Sequence, residues 1–277
     1  GSVQIGDAFT TAYHGNPANP SALSTVTLTG ANSYTDGTKL YSGQLLLGNA
    51  SALGSGALSV YYPQGGSSSG LPYYPLLGSS VAGPTVPNAV DLSMGSLGLT
   101  GPNSFTLSGV ISGNGGLIKN GTGTVTLSGA NTFEGGISID QGTLVIASAS
   151  GAGSGSISLE SGSTTLRFLE SATIQAVLSS DPGARVEVAA GKTLTINPVV
   201  NPMSSPFGYG YDVGFGGTFV PVIQGNPISL VFSGTVATGA EIPQFRLSGQ
   251  SSYTGTTTIG SGINILVTES AALGQSS

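Results

Sequence analysis

Two acidic residues are spaced so that their carboxylates could stand side by side. Asp140 follows Ile139 and Glu160 follows Leu159, so the two acids occupy matching local contexts. Paired carboxylates about 5 Å apart are the catalytic groups of retaining glycosidases, and a column of oxygen ligands can hold Ca²⁺. The simplest interpretation is that both side chains project into solvent at a corner of the fold, with Asn120 one interval earlier. All three interpretations require elements that repeat at the interval between Asp140 and Glu160.

The other chemically active residue types argue against an enzyme. The chain has a single histidine, His14, in a Pro- and Asn-rich segment, and it has no cysteine. A Ser-His-Asp triad would have to use His14, and zinc sites draw on the same residue types. We therefore predict no catalytic residue, no cofactor and no metal ion, with Asp140 and Glu160 as weak metal candidates.

Composition argues against two further classes of function. Charged residues make up 6% of the 277 residues, and the formal net charge is −6. Six Lys and Arg residues scattered along the chain cannot neutralise a phosphate backbone, so nucleic-acid binding is not expected. No apolar run reaches the roughly 18 residues that a membrane-spanning helix needs.

Short runs of alternating apolar and polar residues recur in two interleaved series. A period of two is typical of a strand with one buried face. The first series begins at Phe105, Val125, Leu144, Leu166 and Val186. The second begins at Leu117, Ile137, Ile157, Ile174 and Leu194. Because the intervals within each series are nearly constant, we predict an all-β fold, a parallel β-helix (β-solenoid) with about 20 residues per coil.

This register predicts the direction of individual side chains. Thr106 and Thr126 should point outward, one above the other, and Arg167 and Glu187 should form an ion pair between successive coils. Asn131, in the sequence "GAN", is expected at a turn. The residues predicted to point inward are Val125, Leu127, Ile137, Ile139, Ile157, Leu159, Leu166, Phe168, Val186 and Val188.

A longer repeat overlies the coil period. Residues 25–60 and 124–159 align without a gap at an offset of 99, and a third copy occupies residues 244–277. Repetition at constant offset favours a solenoid over a sandwich. We expect residues 1–277 to form a single β-helix that is a fragment of a longer chain, because "ESAALGQSS" stops within a repeat.

Two segments break the pattern, residues 61–90 and 197–227, and they contain most of the prolines. We interpret them as long irregular loop insertions, which on solenoids often carry binding residues. Their aromatic side chains either fold back onto the solenoid or contact a partner. The candidate binding residues are Tyr61, Tyr62, Tyr73, Tyr74, Phe207, Tyr209, Tyr211, Phe215 and Phe219.

Residues 113–148, "GNGGLIKNGTGTVTLSGANTFEGGISIDQGTLVIAS", closely resemble the autotransporter-associated β-strand repeat, also called the passenger-associated transport repeat. The resemblance implies a right-handed parallel β-helix that forms the passenger of a Gram-negative autotransporter. It also implies type V secretion and a location on the bacterial surface or in the medium. Such passengers are held at the outer membrane by a C-terminal β-barrel, which we expect beyond this chain.

Many passengers of this kind are adhesins and virulence factors, so the resemblance implies binding to a host-cell surface protein or glycan, with self-association as a further possibility. Two alternatives stay open from the sequence. One is a carbohydrate-active β-helix that uses Asp140 and Glu160, and the other is an oligomerising toxin passenger.

Overall fold

The computed structural model describes the chain in defined stretches, and the statements below concern those stretches. Residues 1–6, 24–61, 74–174, 184–190, 192–196 and 255–260 are described with their side chains. The backbone alone is described for residues 175, 177–179, 197, 217–219, 222–224, 228–232, 244–247, 254, 264–267 and 275–276. These stretches contain β-strands and no helix, and therefore no helix that is long and apolar enough to span a membrane.

The described stretches form 28 short strands. The first fourteen are β1 (Val3–Ile5), β2 (Thr25–Leu28), β3 (Thr38–Leu40), β4 (Gln44–Leu47), β5 (Leu58–Tyr61), β6 (Leu76–Ser79), β7 (Thr85–Val86), β8 (Val90–Met94), β9 (Leu97–Leu99), β10 (Phe105–Leu107), β11 (Ile111–Ser112), β12 (Leu117–Lys119), β13 (Thr124–Leu127) and β14 (Ile137–Ile139). The others are β15 (Thr143–Ile146), β16 (Ile157–Leu159), β17 (Thr165–Phe168), β18 (Ala172–Gln175), β19 (Val177–Ser179), β20 (Arg185–Val188), β21 (Thr193–Asn197), β22 (Gly217–Phe219), β23 (Val222–Gln224), β24 (Ile228–Phe232), β25 (Gln244–Leu247), β26 (Thr254–Ile259), β27 (Asn264–Val267) and β28 (Gln275–Ser276).

The strands stack into five parallel sheets, which confirms a β-solenoid of about eight turns. Sheet I is β1-β3-β5-β8-β11, sheet II is β2-β4-β6-β9-β12-β14-β16-β19, sheet III is β7-β10-β13-β15-β17-β20-β23, sheet IV is β18-β21-β24-β26-β28 and sheet V is β22-β25-β27. From β6 to β12 the chain visits sheets II, III and I in turn, so these coils have three sides. The third side carries no strand between β11 and β18, where sheet IV begins.

The predicted coil period is confirmed by the strand pairing. Phe105 pairs with Val125, and Leu117 pairs with Ile137, each at an offset of 20. All ten residues predicted to point inward are buried. Stacking therefore builds one continuous apolar core, in which each fully buried large side chain contributes about 1.5–3 kcal/mol.

The outward positions also follow the predicted register. Thr106 pairs with Thr126, and both side chains are half-buried. Arg167 pairs with Glu187, and its Nε lies 2.5 Å from the Glu187 Oε2. The predicted ion pair between successive coils is confirmed.

The second series of strand starts is wrong at its last two members, because Ile174 and Leu194 both lie in sheet IV and not in sheet II. Residues 174–177 do not form one strand of that series, because Ile174 belongs to β18 in sheet IV and Val177 begins β19 in sheet II. Ile174 pairs with Ile196, whereas Val177 pairs with Ile157. A third side reopens here, and an extra strand enters between the two predicted series.

The loop insertions are shorter than predicted. In the first, residues 76–79 and 85–86 form strands β6 and β7, so the break in the pattern narrows to residues 62–73. Gln44 pairs with Leu76 at an offset of 32, which is one coil plus the length of that break. In the second, residues 217–219 and 222–224 form β22 and β23 within the predicted insertion. These strands are short and flanked by Gly and Pro, so their composition resembles that of irregular loops.

The repeat copies share a set of contacts between coils. Asn131 is buried, its Oδ1 accepts from the Ile111 N–H at 2.9 Å, and its Nδ2 donates to the Gly151 oxygen at 2.7 Å. In the first copy, at the offset of 99, the Asn32 Nδ2 donates to the Ala52 oxygen, also at 2.7 Å. The asparagine predicted at a turn therefore joins backbone groups of neighbouring coils.

Each copy contributes a pair of stacked strands, with a third strand between them in sequence, but the pairs lie on different sheets. The pairs are β2–β4 in sheet II, β13–β15 in sheet III and β25–β27 in sheet V. The repeat is therefore a local unit, and its strand pair is not tied to one sheet of the solenoid.

Candidate functional site

The predicted acidic column lies at the corner that follows sheet II. The Asp140 N–H donates to the Lys119 oxygen at 2.8 Å, and the Glu160 N–H donates to the Ile139 oxygen at 2.9 Å. These bonds place residues 120, 140 and 160 on successive coils, as the spacing predicts. Asp140 is half-buried and Glu160 is exposed.

Asp140 accepts hydrogen bonds from one serine on its own coil and from one on the next. The Ser138 Oγ donates to the Asp140 Oδ1 at 2.7 Å, and the Ser161 Oγ donates to the Asp140 backbone oxygen at 3.1 Å. Within the described stretches, no group of three or more His, Cys, Asp or Glu residues is arranged to hold a metal ion. Asp140 and Glu160 therefore lie at the same corner on successive coils, and this corner faces solvent.

A buried lysine stands directly behind this corner, and sequence analysis missed it. Lys119 is 1% exposed and occupies the inward position that Leu99 and Ile139 fill on the adjacent coils. Its Nζ donates to the Gly121 oxygen and, at 3.1 Å, to the Gln141 oxygen, so it ties together the turns of two coils. Burial lowers the pKa of the Lys119 ammonium to about 8. The sequence feature that indicates a buried lysine is the position of Lys119, 20 residues before Ile139 and in the same inward register.

Tyr74, one of the predicted binding residues, packs against the same corner. Its pKa is raised to about 12, first by burial and then by the charge of Asp140, while a hydrogen bond with the Asn120 side chain acts in the opposite direction. Gly98 leaves room for the ring, because a Cβ there would lie 2.8 Å from the Tyr74 Cε2. Tyr74 is thus a half-buried side chain folded back onto the solenoid.

Tyr61, another predicted binding residue, lies on the outer face of sheet I. Its ring stacks on that of Tyr41, with centroids 4.4 Å apart and planes at 20°. Tyr61 also pairs with Met94, which is 57% exposed. We call Tyr41, Tyr61 and Met94 the tyrosine ladder. Sequence analysis missed Tyr41, although it lies one coil period before Tyr61 and so on the preceding coil.

The side chains of the other candidate aromatic residues lie outside the described part of the structure. The residues that lie outside the described stretches are Tyr62, Tyr73, Phe207, Tyr209, Tyr211 and Phe215, and so is His14. Phe219 is the last residue of β22, for which the backbone alone is described.

An open depression of about 520 Å³ lies where sheet IV begins. It forms beside the coils whose third side has no strand. Small and hydroxylated residues line it: Ala149, Ser150, Gly153, Ser171, Ala172, Thr173, Thr193 and Thr195.

Three segments of the chain match the model of a family described as the passenger-associated-transport-repeat, at residues 24–47, 117–146 and 244–263. The matches span β2–β4, β12–β15 and the region from β25 through β26. No curated protein and no solved structure matches the chain. The chain is therefore a β-solenoid built around three passenger-associated transport repeats, and these repeats indicate an autotransporter passenger. The family implies a secreted or surface-exposed protein and suggests a non-catalytic one.

Proposed function

We propose that this passenger is an adhesin and virulence factor that attaches the bacterium to a host-cell surface through side chains on the outside of the solenoid. The observation that carries the proposal is the match of three transport repeats on a solenoid, to whose core the first two matched segments contribute buried residues. In this account the repeats supply the scaffold, and recognition belongs to the positions that depart from the repeat.

Two positions that depart from the repeat are adjacent in the sequence. Tyr61 ends β5, and the break at 62–73 follows it directly. The tyrosine ladder is therefore next in sequence to the segment that lengthens the coil between β5 and β6. Tyrosine offers a flat apolar ring and a hydroxyl at a small cost in side-chain entropy, which suits a contact surface.

The test is binding of the purified, labelled chain to cultured epithelial cells. Three proteins are compared: the unaltered chain, a variant that lacks residues 62–73, and the variant Thr106→Leu/Thr126→Leu. The last one changes two stacked, half-buried outward residues of sheet III and serves as the matched control.

We expect saturable binding by the unaltered chain and by the control, and at least tenfold weaker binding by the deletion variant. Equal binding by all three proteins would show that residues 62–73 do not contribute to cell binding. If the unaltered chain did not bind the epithelial cells, the adhesin proposal would be overturned.

A further inference from the structure

The outer face of sheet I carries two parallel columns of side chains with different chemistry. Because Leu40 and Val60 are buried, the alternate residues of their strands point outward. One column is the tyrosine ladder. The other consists of Lys39, Ser59 and Asp91, which pair with one another across β3, β5 and β8.

The two columns together form a small patch of mixed character. Lys39 and Tyr41, like Ser59 and Tyr61, are two residues apart and so about 7 Å apart, the bulge brings Met94 to the matching position beside Asp91, and successive coils are about 4.8 Å apart. The three coils thus present a patch of roughly 7 by 10 Å, with aromatic and thioether groups on one side and an ammonium, a hydroxyl and a carboxylate on the other. Lys39, Ser59, Tyr41 and Tyr61 are all half-buried, so each side chain keeps an accessible part.

The stacking covers one face of each tyrosine ring, so the ladder offers a ligand its ring edges and the exposed Met94 side chain. The bulge between β5 and β8 sets Met94, not Ser93, opposite Tyr61. The Asp91 Oδ1 accepts from the Ser93 N–H at 2.9 Å, which fixes the carboxylate while a second oxygen can accept another donor. On the coil before Tyr41, the residue after the Ile5–Leu40 pair is Gly6, which adds no side chain to the column.

We propose that this patch binds a neutral pyranose oligosaccharide, an inference that rests on the proposed adhesin function and names its ligand class. The C–H groups of a sugar ring would pack against the tyrosine ring edges and the Met94 thioether, while its hydroxyls donate to the Asp91 carboxylate and accept from the Lys39 ammonium or the Ser59 hydroxyl. The charges of Lys39 and Asp91 cancel, and the whole chain carries −6, so a neutral glycan fits better than a sialylated one. The patch is about as large as one or two sugar rings.

The test uses a printed array of neutral oligosaccharides and their sialylated counterparts, followed by calorimetric titration with the strongest neutral binder. The variants are Tyr41→Leu/Tyr61→Leu, which removes the rings and keeps apolar volume, and Asp91→Asn, which keeps an oxygen for the Ser93 N–H. Thr106→Leu/Thr126→Leu is the control, and thermal unfolding verifies that every variant is folded.

We expect the unaltered chain and the control to bind neutral glycans equally. The double tyrosine variant should bind at least tenfold more weakly, since each lost ring contact is worth about 3- to 10-fold. Asp91→Asn should bind several-fold more weakly with an unchanged unfolding temperature. The inference is overturned if no neutral glycan binds, if sialylated glycans bind better, or if the double tyrosine variant binds normally.

Failure of this inference is distinguishable from failure of the adhesin proposal. If the chain binds cells but no neutral glycan, the receptor is a different molecule and the adhesin role stands. If the chain binds neither, both proposals fall.

Discussion

At the scale of single residues, the chain departs from a uniform apolar core at a few polar positions that join coils. Lys119 and Asn131 are both buried, and both bond to backbone groups of another coil. A buried polar group with its partners in place adds specificity, whereas removal of one partner costs the desolvation of the other. Substitutions of Lys119 and Asn131 should therefore change the free energy of unfolding in ways that can be measured.

The free energy of unfolding should rise with pH between about 8 and 9.5 because of Lys119. Its pKa is about 8 in the folded chain and 10.5 when it is unperturbed, so in this window the unfolded chain holds a proton that the folded chain has lost. The rise should be on the order of 2 kcal/mol, measured by urea unfolding at several pH values. In Lys119→Met this slope should vanish. An equal slope in both proteins would contradict the role of Lys119.

Asn131→Ala should lower the free energy of unfolding by roughly 2–3 kcal/mol, because it leaves the Ile111 N–H and the Gly151 oxygen without their partner. Asn32→Ala serves as the comparison. Its amide makes the equivalent bond to the Ala52 oxygen but lies at a half-buried position, so a smaller loss is expected. Equal losses, or no loss at Asn131, would show that the bonds between coils contribute little.

At the scale of strands, pairing between coils places outward side chains in contact. Arg167 and Glu187 are 47% and 24% exposed, so water screens their attraction. A double-mutant cycle with Arg167→Ala and Glu187→Ala should give a coupling of about 0.2–1 kcal/mol, which 1 M NaCl should largely remove. A coupling several times larger than this range and insensitive to salt would contradict the expectation.

The strands β10, β13, β15, β17 and β20 of sheet III could be predicted from the sequence, because apolar–polar alternation and a nearly constant interval act together there. Two errors have physical causes. Residues 174–177 look like one run, but Ile174 and Val177 turn to different sheets where the third side of the solenoid reopens. Strands β6 and β7 are short and flanked by Gly and Pro, so composition alone indicated a loop. At the candidate site, Tyr41 stacks on Tyr61 because the pairing of Leu40 with Val60 sets the two rings on successive coils, and the alternation around Tyr41 does not by itself indicate a strand.

At the scale of the whole molecule, the solenoid accommodates insertions that leave its pairing intact. The break at 62–73 lengthens one coil, and Gln44 still pairs with Leu76 on the next. A variant without residues 62–73 restores an offset of 20, so it should fold with an unchanged β-sheet circular dichroism spectrum. Its unfolding temperature should change by only a few degrees, because loop-closure entropy depends weakly on length. Aggregation, or loss of cooperative unfolding, would show that the segment is needed for the fold.

The central claim is that this solenoid is an exported passenger presented outside the cell. The most direct test is labelling of intact bacteria that produce the full protein, with an antibody raised against the purified chain, before and after treatment with external protease. The account predicts that the antibody detects the chain on intact cells or in the medium and that protease removes the cell-bound signal. Detection only after the cells are lysed would contradict it.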